Sequence, residues 1–444
     1  MRSIDTKLFY NGLPLYDASD PQSSANPIFM DLLSFPISSV EVLKGSNSSI
    51  YGSGLQGGLI DLKTEKYETR LKGSVGNHHT FDEGVSFSTP NMFLWLTRVD
   101  SKGIDAHDNY ENTQGGFSGR IAVGDRLLIK PTFLAYDVSG ALNASPFINV
   151  DSVNKDYDDE NDFREGRLYH GGLKSEYYLP DERFILFNDV FAINSERRYS
   201  FLPNPDGTWF YSDGTFNGET IGTDIRLTFY PTLNHRLSTT IGYEYVRDYY
   251  SLEQETVGED EVDRYKNDLY ARQVVPIGKS TITLSGRANN HESVDSKLTY
   301  DVAVAIPVQF MTFHSHYGTG FRSPSLYELS GAFLTSFGRF EVGNEELEPE
   351  ESTSWDAGVT MATPLGKLGV TYFENEIEHR IEFVGSSYAN LDSLYEVSGI
   401  EAFHEIAFTP DLSIRTSMTK TYQEGLLDIP QDQYSAVATW KHGK

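Results

Sequence analysis

Two stretches of the sequence carry residues whose types and spacing could bind a charged ligand. The first, IYGSGLQGGLIDLKT at residues 50–64, contains Gly52, Gly54 and Gly57 in the order G-x-G-x-x-G, a pattern of loops that hold a pyrophosphate. Such a loop needs a buried strand directly before it and a helix that begins inside it. Here the strand-like run SSVEVLKG ends well before Gly52, and a second strand-like run, LIDLKT, follows. The glycines therefore indicate tight turns and close packing of two chain segments.

The second stretch is the acidic run DSVNKDYDDENDFREG at residues 151–166. Clustered carboxylates repel one another unless a hard cation such as Ca²⁺ gathers them, although most runs of this kind are solvated loops. A calcium site in this loop would use Asp156, Asp158, Asp159 and Asp162. No other cofactor is required by the sequence.

The sequence does not indicate an enzyme. It contains no cysteine, so neither a disulfide framework nor a thiolate nucleophile is available. No Ser–His–Asp arrangement is suggested by more than the presence of those residue types. His314 and His316 could share one face of a strand, but hydrogen bonding is the simpler role for them.

Composition excludes one class of partner and one class of membrane anchor. The formal net charge is −28, from 64 acidic and 36 basic residues, so the chain lacks the basic surface that nucleic acid requires. We find no apolar run of the roughly 18 residues that a membrane-spanning helix needs. Aromatic residues reach 13%, against only 39% hydrophobic residues in all, which favours pleated surfaces over a leucine-rich core.

Hydrophobicity with a period of two dominates the chain. From Leu237 to Tyr245 one face carries Leu237, Thr239, Ile241, Tyr243 and Tyr245, which alternate with polar or small residues. The run KLTYDVAVAI places Val302 and Val304 on one face. Alternation of this kind predicts strands with one apolar and one polar face. Short Pro, Gly or Asn turns alternate with long polar connections, which is typical of an up-and-down antiparallel sheet.

Strands of this type, about ten residues long with an outward apolar face and plentiful aromatics, predict an outer-membrane β-barrel. Lipid requires every backbone amide to be paired, and a closed sheet meets that requirement. The patterned segments after residue 66 number about eighteen, give or take two. A propeller is the competing architecture, but we find no repeat of about 40–50 residues to support one.

Residues 35–66, FPISSVEVLKGSNSSIYGSGLQGGLIDLKTEK, resemble the closing half of the plug domain in TonB-dependent outer-membrane receptors. That family shows a strand ending in a phrase like EVLKGP, then YGS, then a glycine-rich step into GGVINI, and Ser46 replaces the usual proline here. The positions that match are Glu41, Lys44, Gly45, Tyr51, Gly52, Ser53, Gly57 and Gly58.

A second resemblance to the same family lies far along the chain, in HYGTGFRSPSLYELSG at residues 316–331 and VGNEELEPEESTSWDAGV at residues 342–359. The receptor barrel carries the signature FRAPSLxELY followed by GNPxLxPExSxxxExG. The matching residues are Phe321, Arg322, Pro324, Leu326, Glu328, Leu329, Gly343, Asn344, Leu347, Pro349, Glu350 and Ser352.

The resemblance implies an all-β fold, a large antiparallel transmembrane barrel with a plug inside it, embedded in the lipid of a bacterial outer membrane. Residues 1–66 correspond to the C-terminal part of the plug domain, and residues 67–444 to the barrel without its last strands. About 18 of an expected 22 strands are then present. The TonB box is absent, so we expect the chain to be a piece of a receptor whose parent works with the TonB–ExbB–ExbD complex.

The resemblance also implies a function, which is the capture of a scarce nutrient outside the cell and its import with TonB energy. The plug loops that would contact the ligand supply Tyr16, Asp17, Asp20, Asn47 and Ser48. The outer loops are acidic and the calcium-type loop resembles one in the cobalamin receptor, so cobalamin is expected first and a ferric siderophore second. A secreted or surface β-rich module that binds glycans or mediates adhesion is the alternative.

Overall fold

The chain folds as a small mixed sheet enclosed by a large antiparallel barrel. The computed structural model describes residues 6–20, 26–46, 48–64, 68–104, 108–142, 162–201, 212–232, 235–254, 258–292, 294–335, 338–423 and 430–441. Within these ranges nearly every element is a strand, as the period-two pattern predicts, and no helix is long and apolar enough to span a membrane.

The first sixty-odd residues form the inner sheet, which we call the plug. Its elements are β1 (Thr6–Tyr10), β2 (Leu13–Leu15), α1 (Asn26–Asp31), β3 (Ser39–Lys44), α2 (Ser48–Tyr51) and β4 (Gly58–Lys63). The strand order is β2-β1-β4-β3, in which β1 and β4 run parallel while β3 is antiparallel to β4. The strand-like runs SSVEVLKG and LIDLKT are therefore neighbours, and the glycine-rich segment is the connection between them.

The barrel follows in chain order. Its strands are β5 (Arg70–Gly76), β6 (Thr80–Thr89), β7 (Met92–Ser101), β8 (Tyr110–Gly119), β9 (Ile121–Val123), β10 (Leu127–Ala141), β11 (Phe163–Tyr178), β12 (Phe184–Phe201), β13 (Ser212–Phe229), β14 (Ser238–Gln254), β15 (Gly258–Ile277), β16 (Ser280–Asn289), β17 (Lys297–Val308), β18 (Met311–Arg322), β21 (Glu350–Thr363), β22 (Gly366–Glu378), β25 (Tyr395–Thr409), β26 (Leu412–Gln423) and β27 (Asp432–Trp440). The connections add α3 (Leu326–Ser330) and two short hairpins, β19 (Ala332–Thr335) with β20 (Gly338–Glu341), and β23 (Ile381–Val384) with β24 (Ser387–Asn390).

Among the described residues, nineteen strands belong to the barrel. Strands β8 and β9 both pair with β10 and are separated by Arg120 alone, so they are two halves of one interrupted strand. Counted in this way the described barrel has eighteen strands, which agrees with the number predicted from the patterned segments. The ring places β27 next to β5, and no register of paired residues joins these two strands in the described ranges. All nine residues of β27 and six of seven in β5 are exposed, so this seam is the least covered part of the wall.

The alternating faces point outward and inward as the sequence predicts. On β14, Ile241 is 61% exposed on the outer surface, whereas Val246 and Asp248 are buried and face the plug. Of the residues assigned to the outer belt, Val302 is exposed and Leu237, Tyr245 and Val304 are half-buried, so none lies in a dry protein centre.

Long and short connections separate the two ends of the barrel. The connections from β10 to β11 and from β12 to β13 are long, whereas β6–β7 and β15–β16 are joined by two residues each. In outer-membrane barrels the long loops face the outside and the short turns face the periplasm. We call these the outer end and the inner end.

The plug is fixed to one side of the bore by an apolar cluster. Leu8, Tyr10, Leu13 and Leu15 of the plug belong to the same buried cluster as wall residues Phe93, Trp95, Leu134, Leu168 and Phe191. Burial of this kind stabilises by about 25 cal/mol per Å² of apolar surface, so the side of the plug that faces β7–β12 is held by the hydrophobic effect.

An arginine on the lipid-facing surface should destabilise the barrel more than one in a loop. Leu284 lies on the outer face of β16 opposite Val302 and is 45% exposed. Leu284→Arg should lower the free energy of unfolding in lipid vesicles by ~2–4 kcal/mol if this site lies near the bilayer midplane. Urea titration followed by tryptophan fluorescence measures it. The control is Asp295→Arg, in an exposed connection, which should leave the free energy of unfolding almost unchanged.

Candidate functional site

The glycine-rich segment packs the plug against the barrel wall. Helix α2 ends at Tyr51, before Gly52, so no helix begins inside the G-x-G-x-x-G pattern. Gly52 and Gly54 both have φ of 83°, a conformation that favours glycine. A Cβ atom on Gly58 would collide with the carbonyl oxygen of Leu43 on the neighbouring strand. The glycines serve backbone conformation and close packing, as the sequence predicts.

The remaining matched positions of this segment close the same turn. Gly45, with φ of 79°, donates its N–H to the carbonyl of Gly57 (3.3 Å). The ring of Tyr51 packs edge-on against Phe9 with centroids 5.9 Å apart, and its carbonyl accepts a hydrogen bond from Lys7 Nζ (2.9 Å). The segment is therefore tied to β1 as well as to β3.

The second matched segment is organised by one buried arginine. Arg322, at the outer end of β18, donates Nε and Nη2 to Glu350 (3.0 and 2.9 Å) and Nη1 and Nη2 to Glu328 (2.8 and 3.1 Å). All three side chains are almost fully buried. Two bidentate carboxylate pairs satisfy the guanidinium, and charge-assisted bonds of this geometry are the strong ones.

Residues around Arg322 hold its two carboxylates in place. Ser325 caps α3 reciprocally with Glu328, since Ser325 Oγ accepts from the Glu328 N–H (2.9 Å) and Glu328 accepts from the Ser325 N–H (2.7 Å). Asn344 donates its N–H to the Glu328 carbonyl (2.8 Å), and a Cβ on Gly343 would lie 2.6 Å from the Leu329 carbonyl oxygen. The conformation of the long β18–β21 connection therefore depends on these positions.

This connection also contacts the plug and the neighbouring wall. Gly54 of the plug donates its N–H to the carbonyl of Phe321 (2.8 Å), and Arg264 of β15 donates Nη1 to the carbonyl of Pro324 (2.5 Å). Phe321 and Pro349 are buried. The two matched segments, which lie far apart in the sequence, meet at the outer end of the bore.

A cluster of charged groups joins the plug to β14 and β15 beside this meeting point. Tyr16 donates its hydroxyl to Asp248 (2.6 Å), and Lys266 Nζ lies 2.5 Å from the same carboxylate. Thr220 of β13 also donates to Asp248 (3.0 Å). Burial raises the pKa of Tyr16 well above 10, so the phenol keeps the proton that it donates.

A second charged cluster lies further towards the inner end of the bore. It centres on Arg287 of β16, whose side chain is fully buried. Its Nε and Nη2 donate to Asp268 (2.9 and 2.7 Å), Nη2 also contacts Glu244, and Nη1 reaches the carbonyl of Ile50 in α2 (3.4 Å). The guanidinium lies over the ring of Tyr270, 5.1 Å from its centroid. The Arg287 guanidinium, whose charge is balanced by Asp268 and Glu244, therefore contacts the plug directly.

A small space, which we call the outer cavity, lies between these clusters and the plug and has a volume of about 70 Å³. Its charged lining consists of the cations Lys7, Arg264, Lys266 and Arg322 and the anions Glu244 and Asp268. Carboxylates next to the cavity compensate these cations, Asp248 beside Lys266 and the pair Glu328 and Glu350 beside Arg322. Burial, with Lys266 and Arg287 nearby, lowers the pKa of the Lys7 ammonium from 10.5 to about 7.

Two family descriptions match the chain, and they match it in the order of the two structural units. Residues 1–59 match the description TonB-dependent receptor plug domain, and residues 95–443 match TonB dependent receptor-like, beta-barrel. The chain belongs to the TonB-dependent receptor family. It is accordingly an outer-membrane β-barrel protein and not an enzyme.

Individual relatives of the receptor are distant in sequence. The ferric enterobactin receptor PirA of Pseudomonas aeruginosa is 22% identical over 503 residues, which cover 90% of this chain and 66% of the relative. The chain thus spans just under two thirds of the length of that curated relative.

Solved structures show the same fold. The siderophore receptor PirA of Acinetobacter baumannii superposes with a TM-score of 0.76 at 14% identity, over 99% of this chain and 77% of the other. The copper transporter OprC also reaches a TM-score of 0.76, at 12% identity, over 100% of this chain and 76% of the other. At these identities the likeness concerns the fold alone.

The plug-loop residues predicted to contact a ligand lie at the outer end, where they contact the barrel wall. Asp17 is buried, accepts from Ser195 Oγ (2.6 Å) and pairs with Arg197 Nε (2.6 Å), and Arg197 Nη1 lies 3.9 Å from Asp20. Ser48 is buried in α2. Asn47 lies outside the described residues. Ligand contact by this set stays a prediction.

The predicted calcium site is almost entirely outside the part of the chain that the structure describes. Asp156, Asp158 and Asp159 are in the undescribed range 143–161, whereas Asp162 is buried next to the start of β11. The calcium site therefore stays a prediction. His314 bonds to Thr371 (3.2 Å) and His316 lies 3.7 Å from Asp356, and among the described residues no group of three or more potential ligands could hold a metal ion.

Sequence reasoning missed the wall residues that meet the plug. Arg197, Asp248, Lys266 and Arg287 were not singled out, although each is a charged residue at an inward position of an alternating strand. A charged residue at an inward position of a strand was therefore the sequence signal that could have pointed to them. Which of many inward charges touches the plug depends on how the plug is turned inside the barrel, and strand patterns carry no information about that.

Loss of the buried arginine should destabilise the outer end strongly. Arg322→Ala leaves Glu328 and Glu350 buried without their cation, and breaking such a pair typically costs about 3–5 kcal/mol. Urea titration of the purified receptor measures the change in the free energy of unfolding. The control is Arg167→Ala, which removes an exposed arginine paired with Asp137 and Glu196 and should cost ~1 kcal/mol or less. Equal losses for the two variants would contradict the role given to Arg322.

The low pKa of Lys7 should make stability rise with pH. Between about pH 7 and 10.5 the unfolded state holds a proton that the folded Lys7 has lost, so alkaline pH favours folding by at most ~1.4 kcal/mol per pH unit. Lys7→Met removes this contribution, so the wild-type protein should gain stability relative to the variant from pH 7 to 9. Urea titrations at stepped pH measure the difference. Lys102→Met, in an exposed connection, should run parallel to the wild type.

Proposed function

We propose that this chain is part of an outer-membrane receptor that binds a ferric siderophore at its outer end. Import would then use energy from the TonB–ExbB–ExbD complex, as is general for the family. A wide barrel without a plug would leak. The plug therefore has to block the bore and to move only after the ligand has bound. The buried contacts between plug and wall are consistent with occlusion.

The observation that carries the proposal is the match of both structural units to the TonB-dependent receptor family, together with a curated relative named ferric enterobactin receptor. Four cationic side chains, Lys7, Arg264, Lys266 and Arg322, also line the outer cavity, although the whole chain has a net charge of −28. In this state they are compensated by neighbouring carboxylates, among them Asp248, Glu328 and Glu350. Cations in a cleft with low-dielectric walls suit an anionic ligand that replaces a carboxylate partner, and ferric siderophores are generally anionic.

Aromatic rings surround a further cation at the outer end. The Arg197 guanidinium lies 5.6 Å from the ring centroid of Phe216, and Tyr327 in α3 is 6.2 Å from the rings of Phe216, Tyr250 and Tyr388. Tyr250 and Tyr327 are buried in this cluster, whereas Phe216 and Tyr388 are partly buried and present ring surface on which flat aromatic groups of a ligand, such as catechols, can stack. Arg197 joins the cluster to the plug, because it pairs with Asp17 and lies 3.9 Å from Asp20.

We reverse the order of the two ligands expected from the sequence, which was cobalamin first and a ferric siderophore second. The acidic outer loops favoured cobalamin, but a curated relative carries the name ferric enterobactin receptor, and no relative named above is a cobalamin receptor. The siderophore, placed second on composition, is therefore the ligand that we propose. The acidic loops give no argument against it, because their charge is solvated and screened within about 8 Å at physiological salt.

Binding measurements with the purified receptor test the proposal. Ferric enterobactin, an anionic catecholate complex, should quench tryptophan fluorescence at micromolar concentration or below, and cobalamin should not. Lys266→Met should weaken ferric enterobactin binding about tenfold, or ~1.4 kcal/mol, because it removes a cation from the outer cavity. The matched control is Lys174→Met, a lysine inside the bore at its inner end, which should leave the affinity unchanged.

Two results would contradict the proposal. One is saturable binding of cobalamin without binding of any ferric siderophore. The other is ferric siderophore binding that rises with salt concentration or is indifferent to it, because binding of an anion by buried cations weakens as salt screens the approach.

A further inference from the structure

Two more cavities lie between the plug and the barrel wall, one on the side of the outer cavity and one beside β8, β10 and β11. The inner cavity, of about 480 Å³, extends to Tyr230 and Val274 at the inner end of β13 and β15. The turn cavity, of about 250 Å³, lies beside the β1–β2 turn and reaches Lys130. With the outer cavity, which begins at Arg322, they extend from one end of the bore to the other.

Successive cavities share their walls. Pro14, Phe191 and Glu244 line both the outer and the inner cavity. Gly12, Asp61 and Lys174 line both the inner cavity and the turn cavity. Each boundary is therefore a layer of side chains. The outer and inner cavities form one interrupted path along β12–β15, which turns towards β10 and β11 at the turn cavity.

The boundary between the outer and inner cavities is a charged constriction. Glu244 contacts Arg287, which is fixed by Asp268 and reaches the plug at the carbonyl of Ile50. A Cβ atom on Gly52 would lie 3.2 Å from Arg287 Nη2 and 3.4 Å from Glu244 Oε2. The glycine allows the wall pair to close directly against the plug backbone.

We propose that the imported solute passes the plug along β12–β15 and that the Glu244–Arg287 pair, seated against Gly52, is the gate on this route. The proposal rests on the import function proposed above and adds its path and its barrier. The outer cavity, at about 70 Å³, holds only a few water molecules, so the plug has to move from this wall before a solute enters.

The distribution of contacts favours movement on this side. The plug faces β7–β12 through the apolar cluster of Leu8, Tyr10, Leu13 and Leu15, whose separation would expose apolar surface to water, and also through polar contacts such as Asp17 with Arg197 and Asp31 with Arg164. It faces β14–β16 mainly through polar contacts, among them Tyr16 with Asp248 and Ile50 with Arg287, and among the described residues Val246 is the one from this wall in the apolar cluster. Water replaces hydrogen bonds at a net cost of about 0.5–1.5 kcal/mol each, so the polar side separates first.

Conductance of the purified receptor in planar bilayers tests the gate without any siderophore. Glu244→Ala combined with Arg287→Ala removes both partners of the constriction and should raise the ionic conductance severalfold over that of the wild type. Phe191→Ala widens the same boundary without removing a charge and should act in the same direction, which covers the case in which the double variant does not fold.

A thiol blocker then locates the route, since the chain has no cysteine of its own. Thr240→Cys, in the inner cavity, should let an anionic methanethiosulfonate reagent remove most of the added conductance. The matched control is Thr419→Cys on β26, opposite Glu401, which contacts Lys44 on the far side of the plug. The same reagent there should have little effect.

Three outcomes overturn the inference: no rise in conductance in either gate variant, a rise blocked equally from both cysteines, or a rise blocked only from position 419. These results differ from a failure of the proposed function, because that failure appears as absent siderophore binding while conductance and its block remain measurable.

Discussion

The structure depends on the requirement that a sheet in lipid present apolar side chains outward and leave its inner surface to whatever fills the bore. In this receptor the inner surface is polar and charged, as on β14, where Glu244 and Asp248 alternate with the outward Ile241 and Tyr243. The plug therefore cannot be held by an apolar core all round. It is held by apolar packing on one side and by hydrogen bonds and ion pairs on the other.

The barrel and its number of strands followed from local patterns, because strict alternation over ten or more residues is produced by a strand that separates an apolar from a polar environment and by few alternative structures. The plug followed only from the resemblance of residues 35–66 to the receptor family. The matched segments also identified Arg322, Glu328 and Glu350, whose mutual bonds explain why these residue types occur together. Helices α2 and α3 were not foreseen, since elements of four and five residues give no periodic signal.

The order of ligands could not be predicted from composition. A net charge of −28 describes the whole chain, whereas the siderophore binding proposed above depends on the few side chains at the plug–wall boundary, where Lys7 and Lys266 lie with Arg264. The pairings that create this local field join residues more than two hundred positions apart, such as Tyr16 and Asp248. They depend on the rotation of the plug within the barrel, which no strand pattern records.

Asp31, the last residue of α1, connects the plug to the barrel wall near the outer end of the bore. The Asp31 carboxylate accepts from Arg164 (2.8 and 3.1 Å) at the start of β11, while its carbonyl accepts from Asn112 on β8 (2.7 Å). These two strands flank β10, so the helix is anchored beneath the root of the connection between β10 and β11. A displacement of that root would therefore reach the plug through both Asp31 contacts, the carboxylate with Arg164 and the carbonyl with Asn112.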